Sequence, residues 1–297
     1  AVAPGYVADM VLTKDLTTLW ADVVFYEGTI VAKNGKLAEP IADLDFEIET
    51  RNSMNLAPVT EEDFIIVPPV ENGTVKVNIM EYQTKDSSVT DRKTVELPVE
   101  NGQIVLGEEM AYVAVLNRYG KGTKALGIVK NFGLETGAIA STVSHDSHNL
   151  IVIGTNEADM ACAANRVAEL GGGYVAVADG AVLAELPLPV AGLMSEESAE
   201  KITELNVTLN NVISSLGVAE DIEPLMHMAF VSLSVIPNLR LPFSSSTTST
   251  PAYEVHVVIF DVALISFAVN VLPLTVLLLV ALIVACVVVA PLTSIQI

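Results

Sequence analysis

The stretch "NLIVIGTNEADMACAANRVAELGGGYVAVADGAVLAEL", residues 149–186, decides the fold. "NLIVIGT" is a near-continuous apolar run of strand length, the pattern of a strand buried on both faces. Asn156 then offers a side-chain oxygen to the first turn of a helix, where Glu157 and Asp159 suit the positive end of the dipole. Met160, Ala163, Ala164, Val167 and Leu170 recur at helical spacing, and Gly171 can end the helix in a left-handed conformation. "YVAVADGAVLAEL" reads as two strands around an Asp179-Gly180 turn. Strand, helix and hairpin in this order predict an α/β domain. Gly171–Gly173 ends a helix, whereas phosphate cradles open one, so the triple glycine is not a phosphate loop.

Upstream, the reading is β-rich. Residues 1–50 predict a small β-meander with Glu27-Gly28 and Asn34-Gly35 at turn positions. From residue 51 to 119, "DFIIVPPV", "TVKVNIMEY", "RKTVELPV" and "QIVLG" read as short strands broken by Glu-Asn-Gly at 71–73 and 100–102. Downstream, Ser195 is placed as the cap of a second helix carrying Ile202, Leu205, Leu209, Val212 and Leu216, with Gly217 at its end. Residues 51–243 thus form one α/β domain. A Ser/Thr-rich linker follows at 244–261, then an uncharged apolar tail at 262–297. The tail exceeds the roughly 20 apolar residues a spanning helix needs, so 262–292 is a candidate membrane segment.

Net charge is −21, from 36 acidic and 15 basic residues. That excludes a nucleic-acid partner, whose phosphates need Lys and Arg. The two cysteines, Cys162 and Cys286, lie far apart and form no disulfide framework or metal pattern.

The chemistry-bearing cluster is "SHDSHN", 144–149, which holds two of the four histidines. Imidazole and carboxylate serve proton transfer and borderline metals alike. The stretch leads into a strand, where His145 and His148 fall on opposite parity. It is not HExxH, and Asp, Ser and Asn also favour turns, so a hydrogen-bonded turn competes with a site. Ser147 lacks the GxSxG elbow of hydrolases. His227 sits in an apolar run and reads as a core histidine.

Residues 127–195, "GIVKNFGLETGAIASTVSHDSHNLIVIGTNEADMACAANRVAELGGGYVAVADGAVLAELPLPVAGLMS", closely resemble the C-terminal region of microbial adenine deaminases. The likeness runs back through "NLAPVTEEDF", 55–64, and forward to "VIPNLRL", 235–241. "APGYVADMVL", 3–12, is similar to the strand segment that follows the catalytic barrel in amidohydrolases. The resemblance implies hydrolysis of adenine to hypoxanthine and ammonia in purine salvage. It implies a divalent metal, manganese or iron, whose bound hydroxide attacks the purine. The ligands would stand on a (β/α)8 barrel preceding Ala1. No histidine occurs before His145, so this chain is expected to bind no metal alone and to be inactive alone. His145, Asp146, His148 and Asn149 are the residues carried over, as substrate contact, proton shuttle or docking contact to the barrel. The partners implied are adenine, the barrel and further copies of the chain. The family places it in the cytoplasm, with membrane association only through the tail. The alternatives are a membrane-tethered interaction module without activity, or a truncated gene remnant. One departure stands out: Asn117-Arg118-Tyr119 occupies the place of the family's Glu-Arg-His.

Overall fold

A computed structural model describes residues 2–42, 53–83, 89–218, 223–233 and 241. Two compact units result, Ala1–Phe46 and Glu47–Ile297.

The first unit is an antiparallel meander of β1 (Met10–Thr13), β2 (Ala21–Tyr26), β3 (Thr29–Lys33) and β4 (Lys36–Leu37). Both expected turns are present. Glu27-Gly28 has φ of 48° and 81°, and Asn34-Gly35 has 53° and 75°. Two successive positive φ values match the twist of a tight hairpin, and Asn and Gly tolerate them best. Glu27 relies on help from outside the turn, because its N–H donates to Asp9 Oδ1 at 2.7 Å.

The second unit is built on one nine-stranded sheet, in the order β13-β12-β10-β11-β8-β9-β5-β6-β7. Its strands are β5 (Gly73–Tyr82), β6 (Thr90–Glu100), β7 (Gln103–Ile104), β8 (Met110–Leu116), β9 (Lys124–Lys130), β10 (Ala138–Ser141), β11 (Leu150–Gly154), β12 (Gly173–Ala178) and β13 (Ala181–Pro187). All neighbours are antiparallel except β5 and β9, which run parallel through Met80↔Val129 and Glu81↔Lys130. The helices are α1 (Glu157–Glu169), α2 (Ala199–Ser215) and α3 (Pro224–Ala229). The fold is therefore mixed α/β, as expected.

Strand parity separates two cores. Val113, Ile139, Ile151, Ile153 and Ala176 face one side, against Leu209, Ile213 and Met228 of α2 and α3. Ala114, Ala140, Leu150, Val152 and Val175 face the other, against Met160, Ala163, Ala164 and Val167 of α1. The expectation that 150–154 is buried on both faces holds, since each of its five residues is buried. Such burial usually marks a parallel sheet. Here the sheet is antiparallel, and helices cover both faces.

Helix α1 begins as expected, with Asn156 Oδ1 accepting from Asp159 N at 2.8 Å. Arg166 then grips Glu185 of β13 with two hydrogen bonds of 2.7 and 3.0 Å. Gly171 takes a left-handed φ of 77° and ends the helix.

Two expectations are corrected. "DFIIVPPV" forms no strand: Glu61–Asp63 makes one short helical turn and the rest is irregular. Pro68 and Pro69 remove two ladder donors. Phe64 and Ile66 are instead buried anchors on the α1 face of the sheet. A reciprocal amide lock holds this strap, with Asn165 Oδ1 accepting from Val59 N and Asn165 Nδ2 donating to Val59 O. Nor does Ser195 cap the second helix. Ser198 does, accepting from Lys201 N at 3.2 Å, while Ser195 Oγ accepts from Glu197 N in the preceding turn.

No described helix is long and apolar enough to cross a membrane. The linker at 244–261 and the candidate membrane segment at 262–292 lie outside the described residues.

Candidate functional site

The 144–149 cluster sits at the end of the sheet between β10 and β11, where the chain must reverse. Residues 145–147 form the turn, and His148 N donates to Ser144 O at 2.7 Å to close it. His148 has a φ of 48°, a conformation uncommon for a residue with a side chain. Something outside the turn must hold it, and two anchors do.

The first anchor grips the leading half. His145 N donates to Ala229 O at 2.9 Å, and Ser144 Oγ pairs with Ser232 Oγ at 2.8 Å. The His145 ring packs on Phe230 with centroids 5.0 Å apart. It borders a hollow of about 710 Å³ shared with Tyr174, Asn206, Asn210 and Glu223.

The second anchor grips the trailing half, and it is Arg118. The register Leu116↔Leu150 of β8 on β11 brings residues 117–119 alongside 147–149. Arg118 Nε donates to His148 O. Nη1 donates to Ser53 Oγ at 2.8 Å and Nη2 to Ala191 O at 2.9 Å. Tyr119, whose ring lies 4.9 Å from the Arg118 guanidinium carbon, donates its hydroxyl to Ser147 O at 2.8 Å.

The four carried-over residues therefore have separate surroundings. Asp146 is exposed, His145 and His148 are half-buried, and Asn149 is buried. His148 Nδ1 and Asn149 Oδ1 are both buried without a hydrogen-bond partner. Buried polar atoms are normally satisfied, so these two, which belong to consecutive residues of the turn, stand out together with Thr123 Oγ1 and His227 Nε2. Thr142 supports the base of the site. Its hydroxyl donates to Gly192 O at 2.6 Å and accepts from Gly173 N at 2.8 Å, tying β10 to the loop after β13.

A divalent metal does not fit these side chains. Among the described residues no three His, Cys, Asp or Glu groups come together to hold one. The His145 ring packs on Phe230 and borders the hollow.

Burial lowers the pKa of His148 below the ordinary histidine value, with Arg118 and His145 adding to the effect and Asp146 opposing it. The folded protein thus favours neutral His148, whereas the unfolded chain protonates at its ordinary value near 6.5. Above 6.5 both states are neutral and pH has no effect through this group. As pH falls below 6.5 the unfolded state takes up the proton first, and stability falls until the lowered folded pKa is passed. The acid-side loss of stability is therefore expected to be smaller in His148→Gln than in the parent chain. Denaturant unfolding of both at a series of pH values from 7 downward checks this, and parallel curves would refute it.

Ser53 was missed in reading the sequence, and Arg118 and Tyr119 stood out there only as a departure from the family's Glu-Arg-His, not as candidate site residues. The available signal was positional: Arg118 is the first charge after the apolar strand Met110–Leu116, level with the start of β11.

His227 is a core histidine, but one satisfied only in part: it is buried, its Nδ1 lies 2.8 Å from Glu223 O and its carbonyl accepts from Tyr82, while its Nε2 has no partner among the described residues.

The described residues thus form an α/β domain with a polar turn at the end of its sheet, clamped by a buried arginine. Residues 87–243 match the family described as the adenine deaminase C-terminal domain. Similarity continues outside that span. The adenine deaminase of Moorella thermoacetica is 42% identical over 245 residues, covering 81% of this chain and 41% of that protein. That of Kosmotoga olearia is 40% identical over 244 residues, and that of Lysinibacillus sphaericus 38% over 243, each again covering 81% of this chain and 41% of its own. The chain belongs to the adenine deaminase family, through its C-terminal domain. It spans about two fifths of the length of these relatives.

Proposed function

We propose that the chain acts as the C-terminal portion of an adenine deaminase, which hydrolyses adenine to hypoxanthine and ammonia in purine salvage. The observation that carries this is similarity through 81% of the chain to proteins named adenine deaminase. The metal, manganese or iron, belongs to a barrel portion, and it would supply activated water. The His145–Asn149 turn of this chain faces that portion. His148, held as neutral imidazole, exchanges a proton with the purine or its water, and Asn149 contacts the same ligand. Asp146, exposed beside it, favours the charged imidazole when the proton arrives. His145 braces the turn against Phe230. The working enzyme in this reading is a cytoplasmic homo-oligomer.

Two preparations test the proposal, the chain alone and the chain fused behind the catalytic portion of the Moorella thermoacetica relative. The fusion is expected to release ammonia from adenine, and the chain alone is not. Ammonia from the isolated chain, or a folded, metal-loaded fusion without turnover, would overturn it.

A further inference from the structure

Arg118 is only 2% exposed, yet among the described residues no carboxylate reaches it. Its donors go to three neutral oxygens, those of His148, Ser53 and Ala191. Removing a guanidinium from water without a counter-charge is costly, and evenly matched apolar replacement is often tolerated better. A buried cation with only neutral partners therefore calls for a reason other than stability. The seat is also purpose-shaped. A Cβ on Gly192 would lie 2.3 Å from Arg118 Nη1, so the guanidinium occupies the space that a side chain there would fill.

We propose that Arg118 is the positioning residue of this site: its planar fork draws Ser53, Ala191 and the His148 carbonyl into one cradle, and so sets the orientation in which His148 and Asn149 meet their ligand. This rests on the function proposed above. The fork geometry matters because a guanidinium offers donors in fixed, divergent directions, whereas an ammonium is a point. The clamp takes hold at a main-chain oxygen, which fixes the backbone at φ 48° while leaving the imidazole free. The Nδ1 of His148 is buried and makes no hydrogen bond. Burial is the larger cause that favours neutral His148, and the positive charge of Arg118 adds to it, with His145 acting in the same sense and Asp146 against it.

The test uses the 297-residue chain with labelled histidine, comparing the parent with Arg118→Met and Arg118→Lys. The His148 signal is identified by its loss in His148→Gln. In Arg118→Met, hydrogen-exchange protection of the His148 amide is expected to fall about tenfold or more, as befits a lost buried network. Amides of residues 150–154 should keep their protection, and the His148 titration midpoint should rise toward the ordinary histidine value. Arg118→Lys keeps the charge without the fork, so the turn loosens equally while the midpoint rises less than in Arg118→Met. A folded Arg118→Met with parental protection at His148 and an unmoved midpoint would overturn the clamp. If Arg118→Met does not fold, the lysine variant decides alone: lost protection at His148 supports the clamp, and parental protection overturns it. Failure of the clamp is separable from failure of the function. A verified clamp together with deamination indifferent to His148 in the fused enzyme would sink the functional reading and leave the clamp in place.

Discussion

Replacing His148 by alanine in the fused enzyme is expected to lower kcat/KM for adenine by about 100-fold or more, the range typical of a lost proton-transfer group. Folding stability should change little by comparison. The ring is half-buried, its Nδ1 makes no hydrogen bond, and the contacts that hold the turn are made by main-chain atoms of 145, 147 and 148. The same substitution at His145 should give the opposite balance, because that ring packs on Phe230 and supports α3. Steady-state kinetics and thermal unfolding of both variants measure this directly. Unchanged kcat/KM in His148→Ala would remove the residue from the chemistry. Equal losses of stability in the two variants would show that the turn only stitches its own domain together.

The second large effect is structural. Gly173→Ala is expected to cost roughly 4 kcal/mol, in the range reserved for a named steric failure. A Cβ at this position would stand 2.1 Å from Leu186 O, and the backbone φ is +128°, where side chains are rarely tolerated. The neighbouring β-strand oxygen cannot move aside without breaking the β12–β13 ladder. Gly180→Ala provides the control. Its φ is +72° but nothing lies within 4 Å of the added carbon. The loss there should be only about 1–2 kcal/mol, from the left-handed backbone alone. Urea unfolding of the pair checks both, and similar losses would mean that contact with Leu186 O is relieved cheaply.

Legibility in the sequence followed the range of the interactions concerned. The Glu27-Gly28, Asn34-Gly35 and Asp179-Gly180 turns and the Asn156 cap depend on backbone chemistry within a few residues, and each was readable. The apolar run at 150–154 was readable as buried on both sides, but not as antiparallel, because one partner, β8, lies some 34 positions upstream and the other, β10, joins it through a turn without an Asn-Gly or Asp-Gly signal. Ser195 and Ser198 present the same local signal around "SEESAE", and only the packing of Leu209 and Ile213 on the sheet selects the later start. Phe64 and Ile66 carry the apolar pattern of strand residues, but Pro68 and Pro69 deny the segment its ladder donors, so their burial comes from a strap instead. The site itself was half legible. His145, Asp146, His148 and Asn149 stood out by composition. The arginine that orders them stood out only as part of the Asn117-Arg118-Tyr119 departure and not by its role, because a single Arg is ordinarily solvent-exposed and nothing local announces three partners from residues 53, 148 and 191.

The parallel contact between β5 and β9 has a consequence for how the domain assembles. Hairpins such as β5–β6 and β12–β13 join strands close in sequence and can form early. The β5–β9 junction is made by two residue pairs, spanning some 49 positions, and it alone unites β5, β6 and β7 with the rest of the sheet. Until it closes, the nascent chain is two separate ribbons, each with an open edge. Met80 and Val129, fully buried at that seam, are then exposed to neighbouring molecules. The salt bridge of Lys130 to Glu81 and the amide of Asn131 on Tyr82 O lie beside the same seam and guide its closure. The seam is thus a thin join between two groups of strands, with polar contacts along its flank.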